Sequence, residues 1–295
     1  MSIHISWSAL AAQTIVGLSL GMIYVLLALG LSLIFGLLGI VNFAHGSFFL
    51  LGAYLGFYVL GLTHNFWAAL LIGPILVGGI GLAVERVLIR PLNDRGPDAA
   101  LLVTFGFSLV IVDVVRMIWG KNGVPFDLPR GLNRAVDLGW TLIPTYRLFV
   151  VSATVVVLIA LWAFLLRTDL GLIIRAGTRD PLMTRALGIR LGRIRFLVFG
   201  LGAGLAALAG VMTAPMLNVA PAMGVSMLIE SFVVVVVGGM GSIPGAIVAG
   251  LLLGLAVSYT VLFAPTMGGI VIFIAMAIVL LVRPRGIFGE AGFLG

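Results

Sequence analysis

The sequence predicts an all-α, polytopic transmembrane helical bundle of about nine membrane segments, within a range of eight to ten. Of the 295 residues, 62% are hydrophobic and only 9% are charged, whereas about 25% of the residues of a soluble domain are charged. So few polar side chains cannot cover a water-soluble fold of this size. The apolar runs are long and continuous, which favours helices over a membrane barrel. The 40 glycines fit helices that pack closely in lipid.

Nine apolar stretches give the predicted elements in order. They cover residues 10–36, 39–61, 66–88, 99–119, 147–166, 196–216, 224–238, 243–263 and 265–282. The seventh stretch is short for a full span, since about 20 residues are needed to cross the hydrocarbon core. Glycines at 238, 239 and 241 separate it from the eighth stretch. Both a full crossing and a re-entrant segment remain open for it.

The arginines predict the orientation of the chain. Seven lie between residues 167 and 195, three follow the third stretch and two follow the ninth. Lys and Arg near the ends of spans are retained in the cytoplasm, and nine crossings place these three segments on one side. We therefore expect the amino terminus outside and the carboxyl terminus inside. Residues 1–295 form one predicted transmembrane domain, with a cytoplasmic segment 167–195 and an external loop 120–146.

The external loop is rich in residues that interrupt helices. These residues are Pro125, Pro129, Gly131, Gly139 and Pro144. Together with a few apolar side chains, they predict an ordered loop or a short surface helix, with disorder as the alternative.

Motifs for ATP hydrolysis are missing from the sequence. A P-loop requires G-x-x-x-x-G-K-[ST], but Asn122 follows the only lysine, Lys121, and Val115 occupies the place of the required glycine. The glycines at 200, 202 and 204 lie inside an apolar stretch with the wrong spacing for a dinucleotide fingerprint. Close helix packing explains them better.

Other chemistry is equally unsupported, so we predict no catalytic residues, no metal site and no cofactor. The histidines, His4, His45 and His64, lie apart from one another, and none has a second ligand at metal-binding spacing. The net charge of +7 follows from arginines on the inner face of a membrane protein, and therefore does not indicate a nucleic-acid partner. Membrane lipid is the expected surrounding.

Placing an ionisable residue inside a span costs free energy, so such residues are candidates for a functional role. Asp113 and Arg116, three residues apart, form a predicted structural pair near the outer rim. Glu85 and Arg86 are interpreted as an anchor at the inner end of the third stretch. Glu230 stands alone before five valines. It either lines a pathway or lies close to the outer interface, and the sequence leaves both open.

Two apolar segments carry a broken helical pattern. One runs from Gly39 to Ser47 and the other from Gly238 to Ala246. Each places Gly-Ser at a possible helix start, and paired interruptions of this kind indicate the pathway of a transporter. Tight helix crossings without substrate contact are the alternative. The predicted pathway residues are Asn42, Phe43, His45, Gly46, Ser47, Glu230, Gly239, Gly241 and Ser242.

The internal segment between residues 167 and 190 differs sharply in composition from its surroundings. Asp180 is a good N-cap for a helix that opens with Pro181, and Gly188 suits its end. Met183, Ala186 and Leu187 would share one face of this helix. An apolar face with no partner in the chain suggests docking to another protein, while a linker bound to lipid headgroups is the alternative.

Taken in order, four motifs resemble those of the permeases of high-affinity branched-chain amino-acid ABC importers. They are Val41-Asn-Phe-Ala-His-Gly46, Glu85-Arg-Val-Leu-Ile-Arg-Pro91, the stretch from Arg175-Ala to Ala186-Leu-Gly-Ile189, and Val237-Gly-Gly-Met-Gly-Ser-Ile-Pro-Gly245. The resemblance covers nearly the whole chain and is to the smaller of the two permease subunits.

This resemblance implies a multi-pass subunit in the inner membrane of a bacterium or archaeon. The implied partners are a second related permease, two ATP-binding subunits, and an extracytoplasmic protein that binds leucine, isoleucine or valine. The resemblance also implies an ATPase-coupling role for Arg175, Ala176, Asp180, Ala186, Gly188 and Ile189. Thr184-Arg185-Ala186 stands where permeases in general have Glu-Ala-Ala.

Three functions remain in competition at this stage. A passive conduit driven by partner ATPases is favoured, and its charge-poor path fits a small neutral or zwitterionic solute. The residues alone do not select leucine over urea or an amide. The alternatives are an ion-coupled secondary carrier or channel that uses Glu230 and His45, and a scaffold that transports nothing.

Overall fold

The computed structural model describes residues 7–92, 95–128, 131–137, 139 and 142–289. His4 and Pro129 lie outside the described residues. The helices of the described part are α1 (Trp7–Leu38), α2 (His45–Thr63), α3 (Phe66–Val84), α4 (Pro97–Trp119), α5 (Thr145–Arg167), α6 (Asp169–Arg179), α7 (Pro181–Ala186), α8 (Leu191–Thr213), α9 (Met223–Gly238), α10 (Ile243–Phe263) and α11 (Gly268–Val282). A π-helical turn, Glu85–Ile89, continues α3, and short 3₁₀ turns occur at Arg90–Leu92 and Pro265–Met267.

The predicted class, a polytopic bundle of transmembrane helices, is confirmed. Among the described residues, eight helices are long and apolar enough to cross a membrane, and α9 is a shorter apolar helix. The 16 residues of α9 extend about 24 Å, which is less than a hydrocarbon core of about 30 Å. The second predicted stretch begins with six residues, 39–44, that are not helical.

Burial separates inner helices from outer ones. We compared an apolar stretch of 18 residues from each span. In α1 and α8, 89% and 72% of these residues are buried, whereas in α4 and in the span that ends with α11 only 17% and 11% are buried. Glycine makes the inner contacts possible. A Cβ on Gly254 of α10 would overlap the backbone of α1 at Gly21, and a Cβ on Gly52 of α2 would overlap α8 at Ala207. The outer helices expose large apolar side chains, as lipid-facing helices do.

The described part of the loop that follows α4 contains a short β-ribbon that the sequence did not indicate. Strand β1 (Ala135–Asp137) pairs antiparallel with strand β2 (Leu142–Pro144). The backbone N–H and the hydroxyl of Thr145 both donate to the carbonyl of Arg134, at 2.9 and 2.8 Å. Val124 forms a separate bridge with Val219, beyond the end of α8.

Three segments rich in arginine lie at one end of the bundle. One contains Arg86 and Arg90, one covers residues 167–195, and one contains Arg283 and Arg285. Gly177 of α6 packs against the side chains of Leu37, at the end of α1, and Leu191, at the start of α8. A guanidinium nitrogen of Arg90 lies beside Gly192. The segment after α11 packs on the end of α9, as described below. The loop at Val124 lies at the opposite end of α8, so the segments 167–195 and 120–128 occupy opposite ends of the fold.

Candidate functional site

The break between α1 and α2 is held by the side chain of Asn42. Its Oδ1 accepts a hydrogen bond from the backbone N–H of Ala44 at 3.1 Å, and its carbonyl accepts one from His45 at 3.2 Å. The N–H of Phe43 donates to the hydroxyl of Thr104, in α4, at 3.2 Å. Backbone groups that the break frees are therefore paired inside the protein, which is the condition for irregular backbone at membrane depth.

The first turn of α2 is buried against three other helices. His45 is fully buried, and its Nε2 lies 2.9 Å from the carbonyl of Leu27 in α1. Because a carbonyl only accepts, Nε2 carries the proton. Gly46 packs on the backbone of Gly224, at the start of α9. Ser47 donates to the hydroxyl of Ser108 at 2.9 Å. It lies in the first turn, so Gly-Ser stands at the start of this helix as the sequence suggested, although Ser47 does not cap it.

Glu230 of α9 lies against α1. Its carboxylate interacts with the hydroxyl of Tyr24, which belongs to the middle of α1 and is 2% exposed. Oε2 of Glu230 has no hydrogen-bond partner among the described residues. The sequence had singled out Glu230 but gave no indication of Tyr24, because an apolar helix with one tyrosine carries no local signal for a distant carboxylate.

A cavity of about 180 Å³ lies between the break, α9 and α11. The break contributes Asn42 and Phe43, and α9 contributes Ile229, Phe232 and Val233. The structure therefore brings two of the predicted pathway residues together with α9 in one cavity. Glu230 belongs to the same helix but is not part of the lining, and neither are Gly239, Gly241 and Ser242.

The second break forms a tight turn at the arginine-rich end. Ser242 stands at the start of α10, as the sequence suggested, and caps the helix by accepting from the N–H of Gly245 at 3.2 Å. Gly239 and Gly241 have φ of +104° and +81°, which only glycine adopts readily. The N–H groups of Ile287 and Phe288 donate to the last carbonyls of α9, at 2.8 and 3.0 Å. The C-terminal segment thus covers this turn, a contact that the sequence did not indicate.

The internal segment contains two helices, of which the sequence predicted only the second. Asp180 caps α7, since its Oδ1 accepts from the N–H of Met183 at 2.9 Å, and Gly188 ends the turn with φ of +80°. Both features are confirmed. The preceding helix α6 was missed, although Thr168 caps it by accepting from Gly171 at 3.0 Å and a Thr-Asp pair at a helix start is a usable signal.

The residues of this segment that the resemblance singled out lie at the surface, except for one. Arg175, Ala176, Asp180, Ala186 and Gly188 are exposed and Ile189 is half-buried. The apolar side chains beside them are exposed as well, with Leu182 at 78% and Leu187 at 73%. These leucines form an exposed apolar surface outside the spans.

Charged side chains lie close together where this segment meets the bundle. Glu85 begins the π-helical turn, is 1% exposed, and interacts electrostatically with Arg90 and Arg195. Arg195 in turn lies near Arg185 of α7. The anchoring role predicted for Glu85 fits this environment, although the sequence had paired Glu85 with Arg86. The described residues bring together no group of three His, Asp or Glu side chains that could hold a metal ion.

Gly188 provides a test of the turn after α7. A side chain at its φ of +80° costs about 1–2 kcal/mol, and asparagine tolerates this region better than a β-branched residue. We expect Gly188→Val to lower the protection of residues 181–190 against limited proteolysis roughly 5- to 30-fold, and Gly188→Asn to retain most of it. Space is not the cause, because nothing lies within 4 Å of an added Cβ. Equal retention by both variants would contradict this expectation.

Comparisons with known proteins agree with this architecture. The sequence model of the family described as branched-chain amino acid transport system / permease component matches residues 13–280. The permease protein BraD of Pseudomonas aeruginosa is 32% identical over 292 residues, covering 94% of this chain and 95% of BraD. LivH of Escherichia coli K12 is 32% identical over 290 residues, covering 93% and 94%.

A third relative is more distant. LivM of Escherichia coli K12, another high-affinity branched-chain amino acid transport permease protein, is 28% identical over 281 residues, covering 84% of this chain and 64% of LivM. The family match spans nearly all of the membrane helices described above. This chain therefore belongs to the family of permease components of branched-chain amino acid transport systems.

Proposed function

We propose that this chain is a permease subunit that passes branched-chain amino acids across the inner membrane of a bacterium or archaeon, driven by ATP hydrolysis in partner subunits. The observation that carries the proposal is the family match over residues 13–280, which includes both helix breaks and the internal segment. BraD and LivH, to which the chain is similar over 95% and 94% of their length, are named as permeases of high-affinity branched-chain amino acid transport.

The sequence contains no P-loop, and we propose that separate ATP-binding subunits supply the energy for transport. The segment 167–195 supports a docking role for two ATP-binding subunits. It exposes Leu182 and Leu187, lies mostly outside the spans, and packs on the ends of α1 and α8 through Gly177. Its seven arginines favour the cytoplasmic side, where such subunits find ATP. The orientation proposed here follows, with the amino terminus outside and the carboxyl terminus inside.

Further partners follow from the relatives and from the proposed orientation. Similarity to both LivH and LivM supports a pair of related permeases in one transporter. The loop 120–146, at the opposite end from the arginines, is the proposed face for an extracytoplasmic substrate-binding protein. We propose that Asn42, Phe43, His45, Gly46, Ser47 and Glu230 line or border the path, and that Gly239, Gly241 and Ser242 shape its inner end.

Reconstitution into liposomes tests this function. We expect ATP-dependent leucine uptake only when the chain is combined with the second permease, the ATP-binding subunits and the binding protein. The chain alone, under an ion gradient, is expected to take up none. Gradient-driven uptake by the chain alone, abolished by Glu230→Gln, would overturn the proposal in favour of a secondary carrier. Uptake of urea in place of leucine by the full complex would overturn the substrate class.

A further inference from the structure

We propose that Thr178 of α6 is a positioning residue through which the internal segment moves both helix breaks, and that it acts on the backbone of Gly36 at the end of α1. The inference rests on the proposed function, because it assumes that partner ATP-binding subunits move the segment 167–195. It adds the contact by which this movement enters the membrane bundle. The contact belongs to α6, whereas the exposed leucines proposed for docking lie on α7 and directly after it.

The last turn of α1 meets both α6 and the turn between α9 and α10. A Cβ placed on Gly36 would lie 3.2 Å from Cγ2 of Thr178 and 3.6 Å from the Cα of Gly241. In the other direction, a Cβ on Gly241 would lie 3.3 Å from the Cα of Gly36. The optimum separation of two carbon atoms is about 3.5–4.0 Å. With glycine at both positions, the two backbones approach each other closely, and the methyl group of Thr178 lies beside them.

The side chain of Thr178 is held in one orientation. Its hydroxyl donates a hydrogen bond to the carbonyl of Ile174, one turn earlier in α6, at 2.8 Å. This bond turns Oγ1 towards the backbone of α6 and leaves the methyl group Cγ2 to face Gly36. A β-branched side chain has few rotamers in a helix, and packed protein interiors are hardly compressible. The methyl group can therefore pass a displacement of α6 on to α1.

Helix α6 presents different faces to the bundle and to its surroundings. Ile174 is 6% exposed and, with Thr178, belongs to the face that packs on the bundle. Leu172, Arg175 and Arg179 are exposed, and their spacing of three and seven residues places them together on another face. A partner bound to that exposed face would displace the packed face as well, because a helix of 11 residues moves as a unit.

The first break begins directly after the contact. The N–H of Gly39 donates to the carbonyl of Phe35 at 2.8 Å, and Gly39 leaves the helix with φ of +68°. The non-helical residues up to Asn42 and the start of α2 follow. Gly36 lies in the helical turn that this bond closes. A displacement of Gly36 therefore moves the first residue of the break.

The second break is bonded to both of its neighbouring helices. The N–H of Gly239 donates to the carbonyl of Val235 in α9 at 2.9 Å. The N–H of Ser242 donates to the carbonyl of Gly239, and the N–H of Ala246 in α10 donates to the carbonyl of Ser242, both at 2.9 Å. Because these bonds join the turn to α9 and α10, a displacement at Gly241 reaches the ends of both helices. One contact on α1 thus lies between the internal segment and the two breaks.

The variants Thr178→Ser and Thr178→Val test the contact, because each keeps one branch of the threonine side chain. Serine keeps the hydroxyl and lacks the methyl group, whereas valine keeps the methyl group and lacks the hydroxyl. In the complete importer in liposomes, we expect Thr178→Ser to raise the ATP hydrolysed per leucine taken up roughly 3- to 10-fold. Thr178→Val should keep the wild-type ratio. A residue that only supported folding would lower hydrolysis and uptake together and leave the ratio unchanged.

A compensating change separates this contact from a local effect on α6. Gly36→Ala adds a methyl group beside the place that Thr178→Ser empties, so the double variant should return the ratio to within about twofold of the wild type. Thr213→Ser is the matched control. Thr213 is 2% exposed, its hydroxyl donates to the carbonyl of Ala209 at 2.7 Å, and it lies at the other end of α8. Its replacement should leave the ratio unchanged.

Labelling of the second break measures the same effect without leucine. The chain contains no cysteine, and Met240 in the turn is 36% exposed, so Met240→Cys gives this chain a single site for a maleimide. We expect a non-hydrolysable ATP analogue to change the labelling rate of this site roughly tenfold in the otherwise wild-type complex. With Thr178→Ser added, the change should fall to less than about twofold.

Two results would overturn the inference. One is an unchanged ratio of ATP to leucine in Thr178→Ser, and the other is a labelling change at Met240→Cys that Thr178→Ser does not reduce. The wild-type importer separates this inference from the proposed function. If it takes up no leucine while it hydrolyses ATP, the proposed function fails, and the labelling experiment still decides whether Thr178 transmits the movement.

Discussion

Replacing Leu182 and Leu187 together by aspartate is expected to release the ATP-binding subunits from the purified complex. Leu182, on α7, is 78% exposed, and Leu187, directly after this helix, is 73% exposed. The helix packs on the rest of the chain through Thr184, which is 3% exposed. Burying a leucine in a partner contributes about 1.5–3 kcal/mol. Losing two such contacts weakens binding at least about 100-fold. Copurification from membranes in mild detergent measures this loss.

The control for that experiment uses an exposed leucine at the other end of the bundle. Leu142, on β2, is 64% exposed, and Leu142→Asp should leave the ATP-binding subunits attached. Membrane insertion and pairing with the second permease should survive in both variants, because neither change affects a buried residue. The docking proposal would be wrong if the double variant copurified as much ATP-binding subunit as the wild type.

Replacing Gly52 by leucine is expected to prevent the chain from folding. A Cβ at this position would overlap the backbone of Ala207 in α8, and backbone cannot move aside as a flexible side chain can. Overpacking of this kind costs about 3 kcal/mol or more. We expect most of the Gly52→Leu protein to elute as aggregate in size-exclusion chromatography in detergent, with a lowered melting temperature in any remaining monodisperse fraction.

Gly61, in the last turn of the same helix, is the matched control. Nothing lies within 4 Å of a Cβ added there, so Gly61→Leu places its side chain in open space or lipid. Its elution profile and melting temperature should match those of the wild type. If the two variants had the same elution profile and melting temperature, α2 and α8 would pack less closely than the structure shows.

Local sequence signals predicted local structure well. The N-cap at Asp180, the stop at Gly188 and the cap at Ser242 each depend on a residue and its neighbours within three positions, so a linear sequence contains them in full. Thr168, the N-cap of α6, carries the same kind of signal, but the sequence analysis above did not predict this helix. The ribbon of β1 and β2 was missed for another reason, because strands of three residues each carry too little periodicity to be recognised.

Composition and the length of the apolar runs determined by themselves that this protein is a helical membrane bundle, because lipid imposes a length and a polarity on every span. Only the tertiary structure decided which residues meet. It placed Asn42 in a cavity with α9, Tyr24 against Glu230, and the C-terminal segment over Gly239. These contacts join residues far apart in the chain, and nearly uniform apolar helices give no local sign of which faces will pack together.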